Sequence, residues 1–134
     1  MVRSTSGSTN GARAWKERGA VAVEFALVAP ILLALVAGIV EFSHAYNLQI
    51  SVTQAAREAA REMAIEDDQG AAAVAATAGA PGLTGADFEY AFSPGSCTAG
   101  ENMTVTITYP APTLTGIFGS TVTVTGTGAM RCEG

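Results

Sequence analysis

Apolar residues dominate one continuous stretch near the start of the chain. The run AVAVEFALVAPILLALVAGIV occupies residues 20–40 and contains a single acidic residue, Glu24. A helix of this length is about 30 Å long, which matches the hydrocarbon thickness of a bilayer. The pattern therefore predicts a transmembrane helix that carries one carboxylate near its start.

The helical pattern continues beyond the apolar run. Apolar residues recur at three- and four-residue intervals as far as Met63, and charged or amide residues occupy the other faces. This predicts one helix from about residue 20 to residue 66, so that residues 41–69 form an amphipathic continuation of the span. The small residues of QAAREAAREMA offer a surface for close approach by a helix or a sheet, although Ala, Arg and Glu are also strong helix formers. Gly70 is expected to cap this helix in the left-handed conformation.

In the last part, residues 70–134, the spacing of apolar residues changes to every second position. An alanine-rich stretch at residues 71–80 is compatible with a short helix, and Ala80-Pro81-Gly82 predicts a turn. Apolar residues alternate with Glu89 and Ala91 around Phe88–Phe92, and with threonine or other small residues around Met103–Tyr109 and Val122–Met130. We expect three antiparallel strands whose apolar face packs on the long helix, an α+β fold, with Gly126 and Gly128 loosening the last strand.

Charge is unevenly distributed on the two sides of the apolar run. Residues 1–19 hold four basic residues against one acid, a net charge of +3, and residues 41–134 hold three arginines against ten acids, a net charge of −7. Because Lys and Arg resist translocation, the N-terminus is expected in the cytoplasm and residues 70–134 outside the cytoplasmic membrane. Residues 1–14 lack an apolar period and predict a disordered leader. The acidic part makes nucleic acid a poor partner.

The two cysteines, Cys97 and Cys132, both lie in the β-rich part. If that part is exported, a disulfide is the natural interpretation, and two unpaired thiols are the alternative. Two cysteines and the distant His44 offer no ligand cluster for a metal. The sequence contains no phosphate-binding loop and no set of nucleophile, base and acid, so it predicts neither an enzyme nor a cofactor. Asn102-Met103-Thr104 matches the glycosylation pattern only weakly.

The region before and within the apolar run holds a composite motif. Gly19 follows Lys16 and Arg18, and four small apolar residues then precede Glu24-Phe25. This arrangement resembles the class III signal of type IV pilin-like proteins. The resemblance implies that a prepilin peptidase cuts between Gly19 and Ala20, so that Glu24 becomes the fifth residue of the mature chain.

Residues 18 to about 62 resemble the TadE-like family more specifically, the pseudopilins of the tight-adherence (Tad) pilus system. The matching features are Arg18-Gly19, Glu24-Phe25, Pro30, the segment GIVEF ending at Phe42, and the segment Ala55-Ala56-Arg57-Glu58. The resemblance implies a minor pilin-like component in assembly of a Tad pilus. Its expected partners are the cytoplasmic membrane, the prepilin peptidase, other pilins or pseudopilins and the Tad secretion machinery.

Glu24 has an obvious partner under this hypothesis. Cleavage after Gly19 would create a positive amino group on Ala20, about 6 Å from Glu24 along the helix axis. Pairing between neighbouring subunits would neutralise both charges and fix the stagger of their helices. The alternative is a glutamate that lies among the headgroups as part of the flank.

Two other classes of protein remain as alternatives. One is an unprocessed, single-pass anchored protein whose extracytoplasmic part binds or senses a ligand. The other is a secreted domain released by ordinary signal peptidase, for which Ser43-His44-Ala45 offers a site with small residues at its two ends. That cut would divide the helical pattern, which argues against it. The pseudopilin is the leading hypothesis, located in the cytoplasmic membrane or in a pilus at the cell surface.

Overall fold

The computed structural model describes residues 10–117 and 119–133, and the side chains from residue 18 onward. The chain divides into two compact units, Met1–Ile39 and Val40–Gly134. Its first element, helix α1, runs over Asn10–Glu66 and continues through Pro30. It is long and apolar enough to cross a membrane, and the side chains of its most apolar window are exposed.

Helix α1 begins earlier than the sequence predicts. The expected start lay near residue 20, and residues 10–14 belonged to a leader that was expected to be disordered, whereas the structure is helical from Asn10. Ala, Arg, Lys and Glu are common from residue 12 to residue 18, and they extend an existing helix at little cost. The rest of that leader, residues 1–9, lies outside the described residues.

The end of α1 at Glu66 agrees with the prediction, but its capping residue does not. Asp67, not Gly70, takes the left-handed conformation (φ 51°), and its amide donates to the Met63 carbonyl at 3.1 Å. Gly70 instead lies in the first turn of helix α2 (Gln69–Gly79), where the Asp68 carboxylate accepts hydrogen bonds from its amide and the next one. The acidic Asp68 therefore caps the start of the second helix.

A three-stranded antiparallel meander follows, as predicted. A short 3-10 helix at Gly85–Asp87 leads into β1 (Glu89–Ser93), β2 (Asn102–Pro112) and β3 (Thr121–Arg131), which are paired in the order β1-β2-β3. Tyr90 pairs with Ile107, and Ile107 pairs with Gly126 on the other side. The observed architecture is α+β, in agreement with the predicted fold class.

The core of the second unit lies between the helices and one face of the sheet. Completely buried members come from α1, α2 and β2: Val52, Ala55, Ala56, Ala59, Ala60, Met63, Ala72, Ala76, Met103, Val105 and Ile107. The alanines of QAAREAAREMA therefore do provide a close-approach surface, and a sheet uses it. Tyr109 and Phe88 complete this core in an edge-to-face arrangement, with ring centroids 5.6 Å apart.

The glycines of β3 permit this close approach, and the prediction that they loosen the strand is wrong. A Cβ built on Gly126 would lie 2.5 Å from the Val52 carbonyl oxygen, and a Cβ on Gly128 would overlap the Ala56 backbone. Both glycines are buried under α1, as is Val124, which is 4% exposed. Val122 and Met130 share their face but are 37% and 42% exposed, because they lie nearer the ends of the strand.

Candidate functional site

The four residues predicted to govern processing and assembly lie together on α1. Gly19, Ala20, Glu24 and Phe25 are all helical and exposed. A Cβ at Gly19 would meet no described side chain within 4 Å, and the Phe25 side chain is 70% exposed. Ala20 and Glu24 lie four positions apart and therefore share one face of the helix.

Glu24 is surrounded on its helix by exposed apolar side chains. Val21, Val23, Phe25 and Leu27 are between 61% and 70% exposed. Among the side chains that the structure describes, none forms a hydrogen bond or an ion pair with the Glu24 carboxylate. The monomer thus presents this carboxylate outward, on the apolar part of α1.

A second glutamate, Glu41, has the opposite environment. It directly follows the apolar run and is only 7% exposed. Its Oε1 accepts a hydrogen bond from the Leu114 amide at 2.9 Å. Its Oε2 accepts two more from Thr115, from the amide at 2.9 Å and from the hydroxyl at 3.0 Å. One carboxylate therefore connects α1 to the β2–β3 loop (residues 113–120).

The β2–β3 loop has a backbone that suits this contact. Its ends are joined by a hydrogen bond from the Thr113 amide to the Ser120 carbonyl at 3.1 Å, and the Gly119 amide donates to the Gly116 carbonyl at 3.2 Å. Gly116 (φ 70°) and Gly119 (φ 100°) adopt left-handed conformations that glycine allows without steric cost. The loop thereby places two consecutive amides in line with the Glu41 carboxylate.

The contact also sets the charge state of Glu41. Burial by itself raises the pKa of its carboxyl group, but the hydrogen bonds from Thr115 and Leu114 and the nearby charge of His44 outweigh it, so the pKa of Glu41 lies below its ordinary value of 4.5. The carboxylate is therefore ionised at neutral pH. The Nε2 atom of His44 is buried without a hydrogen-bond partner among the described residues.

The sequence pattern does not predict this role of Glu41, which stands out there only as part of the segment GIVEF. The position of Glu41 directly after the apolar run is a signal in itself, because a carboxylate there must be either solvated or bound to a specific partner. The partner itself lies 73 and 74 positions away in the chain. Local spacing holds no information on a contact of that kind.

The predicted disulfide between Cys97 and Cys132 is present, with the two Cα atoms 5.7 Å apart. The Cys97 amide donates to the Asp67 carboxylate at 2.6 Å, and the Cys132 amide donates to the Glu101 carbonyl at 2.8 Å. The bridge therefore fixes the end of β3 to the β1–β2 connection, beside the junction of α1 and α2.

Metal-binding side chains do not come together in residues 10–117 and 119–133, where no three of His, Cys, Asp and Glu form a group that could hold an ion. Both cysteines are in the disulfide, and His44 faces Glu41. Glu24 and Glu41, which flank the apolar part of α1, are thus distinctive polar features of the described residues, the first directed outward and the second bound to the β2–β3 loop.

Comparison with known proteins adds one finding. The family model described as TadE-like protein matches residues 19–61. No curated protein and no solved structure matches the chain. The matched segment contains Ala20, Glu24, Glu41 and the alanines that pack on the sheet, and it covers nearly the same residues as the motifs described above. Residues 19–61 of this chain, the TadE-like segment, are therefore similar to that family.

Proposed function

We propose that the protein is a minor pilin-like component, a pseudopilin, that takes part in assembly of a Tad-type surface pilus after a prepilin peptidase cuts it between Gly19 and Ala20. The observation that carries this proposal is the position of Glu24. It is an outward carboxylate on the apolar part of a helix, within the TadE-like segment and five residues after Gly19.

The proposal gives the chain a single orientation in the membrane. Residues 1–19 form a cytoplasmic leader, residues 20–40 cross the cytoplasmic membrane, residues 41–69 continue the helix outside, and residues 70–134 form the extracytoplasmic part. The net charge of +3 before the span supports this orientation, because basic residues are retained in the cytoplasm. The disulfide supports it too, because such bridges persist in oxidising compartments.

Glu24 then acts as an assembly residue. A carboxylate at the centre of a lipid-embedded helix costs about 2.5–3.5 kcal/mol on insertion scales, and less near an interface, where Glu24 lies. An outward carboxylate at this position still favours a state that supplies a cation. The amino group of Ala20 on a neighbouring subunit is such a cation once the leader is removed. Phe25 lies beside it with an exposed ring, available for packing in the same interface.

Gly19 favours cleavage in two ways. Glycine is about 1 kcal/mol worse than alanine in a helix, so α1 opens more easily at this residue than at its neighbours. Among the described side chains, none lies within 4 Å of the position of a Cβ at Gly19, so this face of the helix is open to the peptidase.

Substitution of the two open glycines of α1 tests the processing step. Gly19→Leu is expected to abolish cleavage in cells that contain the prepilin peptidase. Gly38→Leu is the matched control, because a Cβ at Gly38 also meets nothing within 4 Å. Processing of the Gly19→Leu variant at the normal rate would overturn the proposed cleavage site.

Substitution of Glu24 tests the assembly step separately. Glu24→Ala is expected to be cut normally but to enter assemblies poorly, whereas Glu24→Asp retains the charge and part of the function. Phe25→Leu, on an adjacent exposed position, is expected to have a smaller effect. Normal pilus formation by cells with the Glu24→Ala variant would contradict the pairing of Glu24 with the Ala20 amino group of a neighbouring subunit. It would favour an anchored protein that acts without assembly.

A further inference from the structure

We propose that the β2–β3 loop is a second membrane contact: it lies in the headgroup region of the extracytoplasmic leaflet and inserts Leu114 and Ile117 toward the acyl chains. The inference rests on the proposed function only in that residues 20–40 cross the membrane. It requires neither cleavage nor pilus assembly.

The Glu41 contact determines the height of the loop. Glu41 immediately follows Val40, the last residue of the apolar run. The amides of Leu114 and Thr115 each lie 2.9 Å from its carboxylate oxygens. The loop is therefore separated from the end of the span by no more than one glutamate side chain and one hydrogen bond.

The composition of the loop fits a lipid surface. Leu114 is 58% exposed and Ile117 is 63% exposed. The other residues of the loop are two threonines, two glycines, Ser120 and Phe118, and Phe118 lies outside the described residues. No charged residue occurs from residue 102 to residue 130, although residues 41–134 carry a net charge of −7. Apart from Glu41, which is bound to the loop amides, the acidic residues of this part lie outside residues 102–130. The segment therefore meets the membrane surface without an ionised side chain of its own.

The adjacent turn of α1 carries the side chains typical of a membrane interface. Phe42 and Tyr46 are 73% and 60% exposed, and their rings stack with centroids 6.3 Å apart. Tyrosine is enriched at the headgroup level of membrane proteins, and the Phe42 ring extends the same exposed aromatic surface. The aromatic turn of α1 and the β2–β3 loop, both next to Glu41, are therefore expected at the same depth, in the headgroup region of the membrane.

Glu41 also solves a problem that lipid contact creates for a loop. Backbone amides must be hydrogen-bonded in an environment poor in water, and irregular backbone is seldom exposed to lipid for that reason. The carboxylate satisfies two consecutive loop amides and the Thr115 hydroxyl. Leu114 and Ile117 can then enter the interface without exposing those donors.

Depth-dependent fluorescence quenching tests the inference on the full chain. In a Trp15→Phe background, Leu114→Trp places a single tryptophan at an exposed position and retains the backbone amide that bonds to Glu41. The protein is reconstituted into phosphatidylcholine vesicles that carry bromine near the headgroup end or near the methyl end of the acyl chains. Phe25→Trp reports the span, and Val74→Trp, at a 72% exposed position on α2, is the matched control.

We expect the Leu114→Trp emission to be blue-shifted and quenched more by bromine near the headgroup end, with Val74→Trp unaffected. When the Glu41→Ala substitution is combined with Leu114→Trp, the quenching of the tryptophan should decrease. The inference is overturned if Leu114→Trp behaves like Val74→Trp while Phe25→Trp is quenched. It is also overturned if the blue shift depends on the protein-to-lipid ratio without lipid quenching, which would indicate contact with a second copy.

The controls separate this inference from the proposed function. Unquenched Phe25→Trp would show that the span is not in the bilayer, and both ideas would fall. An uncut leader with quenched Leu114→Trp would overturn the processing step and leave the loop contact supported.

Discussion

Glu41 and Thr115 are joined by two hydrogen bonds although 74 positions separate them, one from the backbone amide and one from the hydroxyl, both to Oε2 of Glu41. The contact ties the first residue after the apolar run to the loop between the two long strands. A charge-assisted pair of this kind, with the carboxylate buried, is stronger than ordinary neutral hydrogen bonds. It therefore makes the position of the loop depend on one side chain.

Removal of this carboxylate should release the loop without unfolding the sheet. In Glu41→Ala, we expect hydrogen exchange at the amides of Leu114 and Thr115 to accelerate by about tenfold or more, the scale of one lost hydrogen bond. Glu41→Gln retains one acceptor oxygen and should have a smaller effect. Glu66→Ala, which removes an exposed acid elsewhere on α1, should leave both amides unchanged.

The same contact should weaken in acid. Because the pKa of Glu41 is lowered in the folded protein, its ionised form contributes stability that is fully present above the ordinary value of 4.5. That contribution is lost as the pH falls from 4.5 through the lowered pKa, where the carboxylate takes up a proton. Exchange of the Thr115 amide, measured against pH and corrected for the intrinsic rate, should rise in that range. A Glu41→Gln variant that shows the same rise would contradict the assignment to Glu41.

Glycine at position 126 is predicted to be essential for packing. Gly126→Ala places a Cβ 2.5 Å from the Val52 carbonyl oxygen and 2.6 Å from the Thr53 amide nitrogen. We expect destabilisation of about 1–3 kcal/mol or more, as for other overpacked cores. Gly95→Ala is the control, since its Cβ meets nothing within 4 Å. Denaturant unfolding in detergent measures both variants, and equal stabilities would contradict the close approach of α1 and β3.

The disulfide should contribute strongly to the stability of the second unit. The bridge closes a loop between residues 35 positions apart, and replacement of both Cys97 and Cys132 by serine should cost about 3–4 kcal/mol in the chain-entropy model. A reducing agent should lower the midpoint of thermal unfolding of the natural chain. It should leave the midpoint of the double variant unchanged.

Much of the fold could be predicted because its signals are periodic. The long apolar run, the three- and four-residue spacing up to Met63 and the alternation around Ile107 each specify an element within a short window. The disulfide followed from the presence of just two cysteines in a part expected to be exported. These features depend on residue type and local spacing alone.

The remaining features depend on contacts between distant residues. Gly126 is a weak strand residue when considered by itself, and its purpose becomes clear only with the Val52 backbone above it. Asp68 opposes the dipole of the helix before it, yet caps the helix after it. Glu41 looks like part of a membrane flank until the amide of Leu114 is found beside it. In each case tertiary structure, rather than local propensity, decides what the residue does.

The central claim is that the chain is a processed pilin-like subunit, and the N-terminal sequence of the membrane-bound protein tests it most directly. The protein should be isolated from cells that contain the prepilin peptidase and from cells that lack it. The account predicts a chain that begins at Ala20 in the first case and an intact leader in the second. A chain that keeps its leader in both, or that begins at Tyr46, would contradict it.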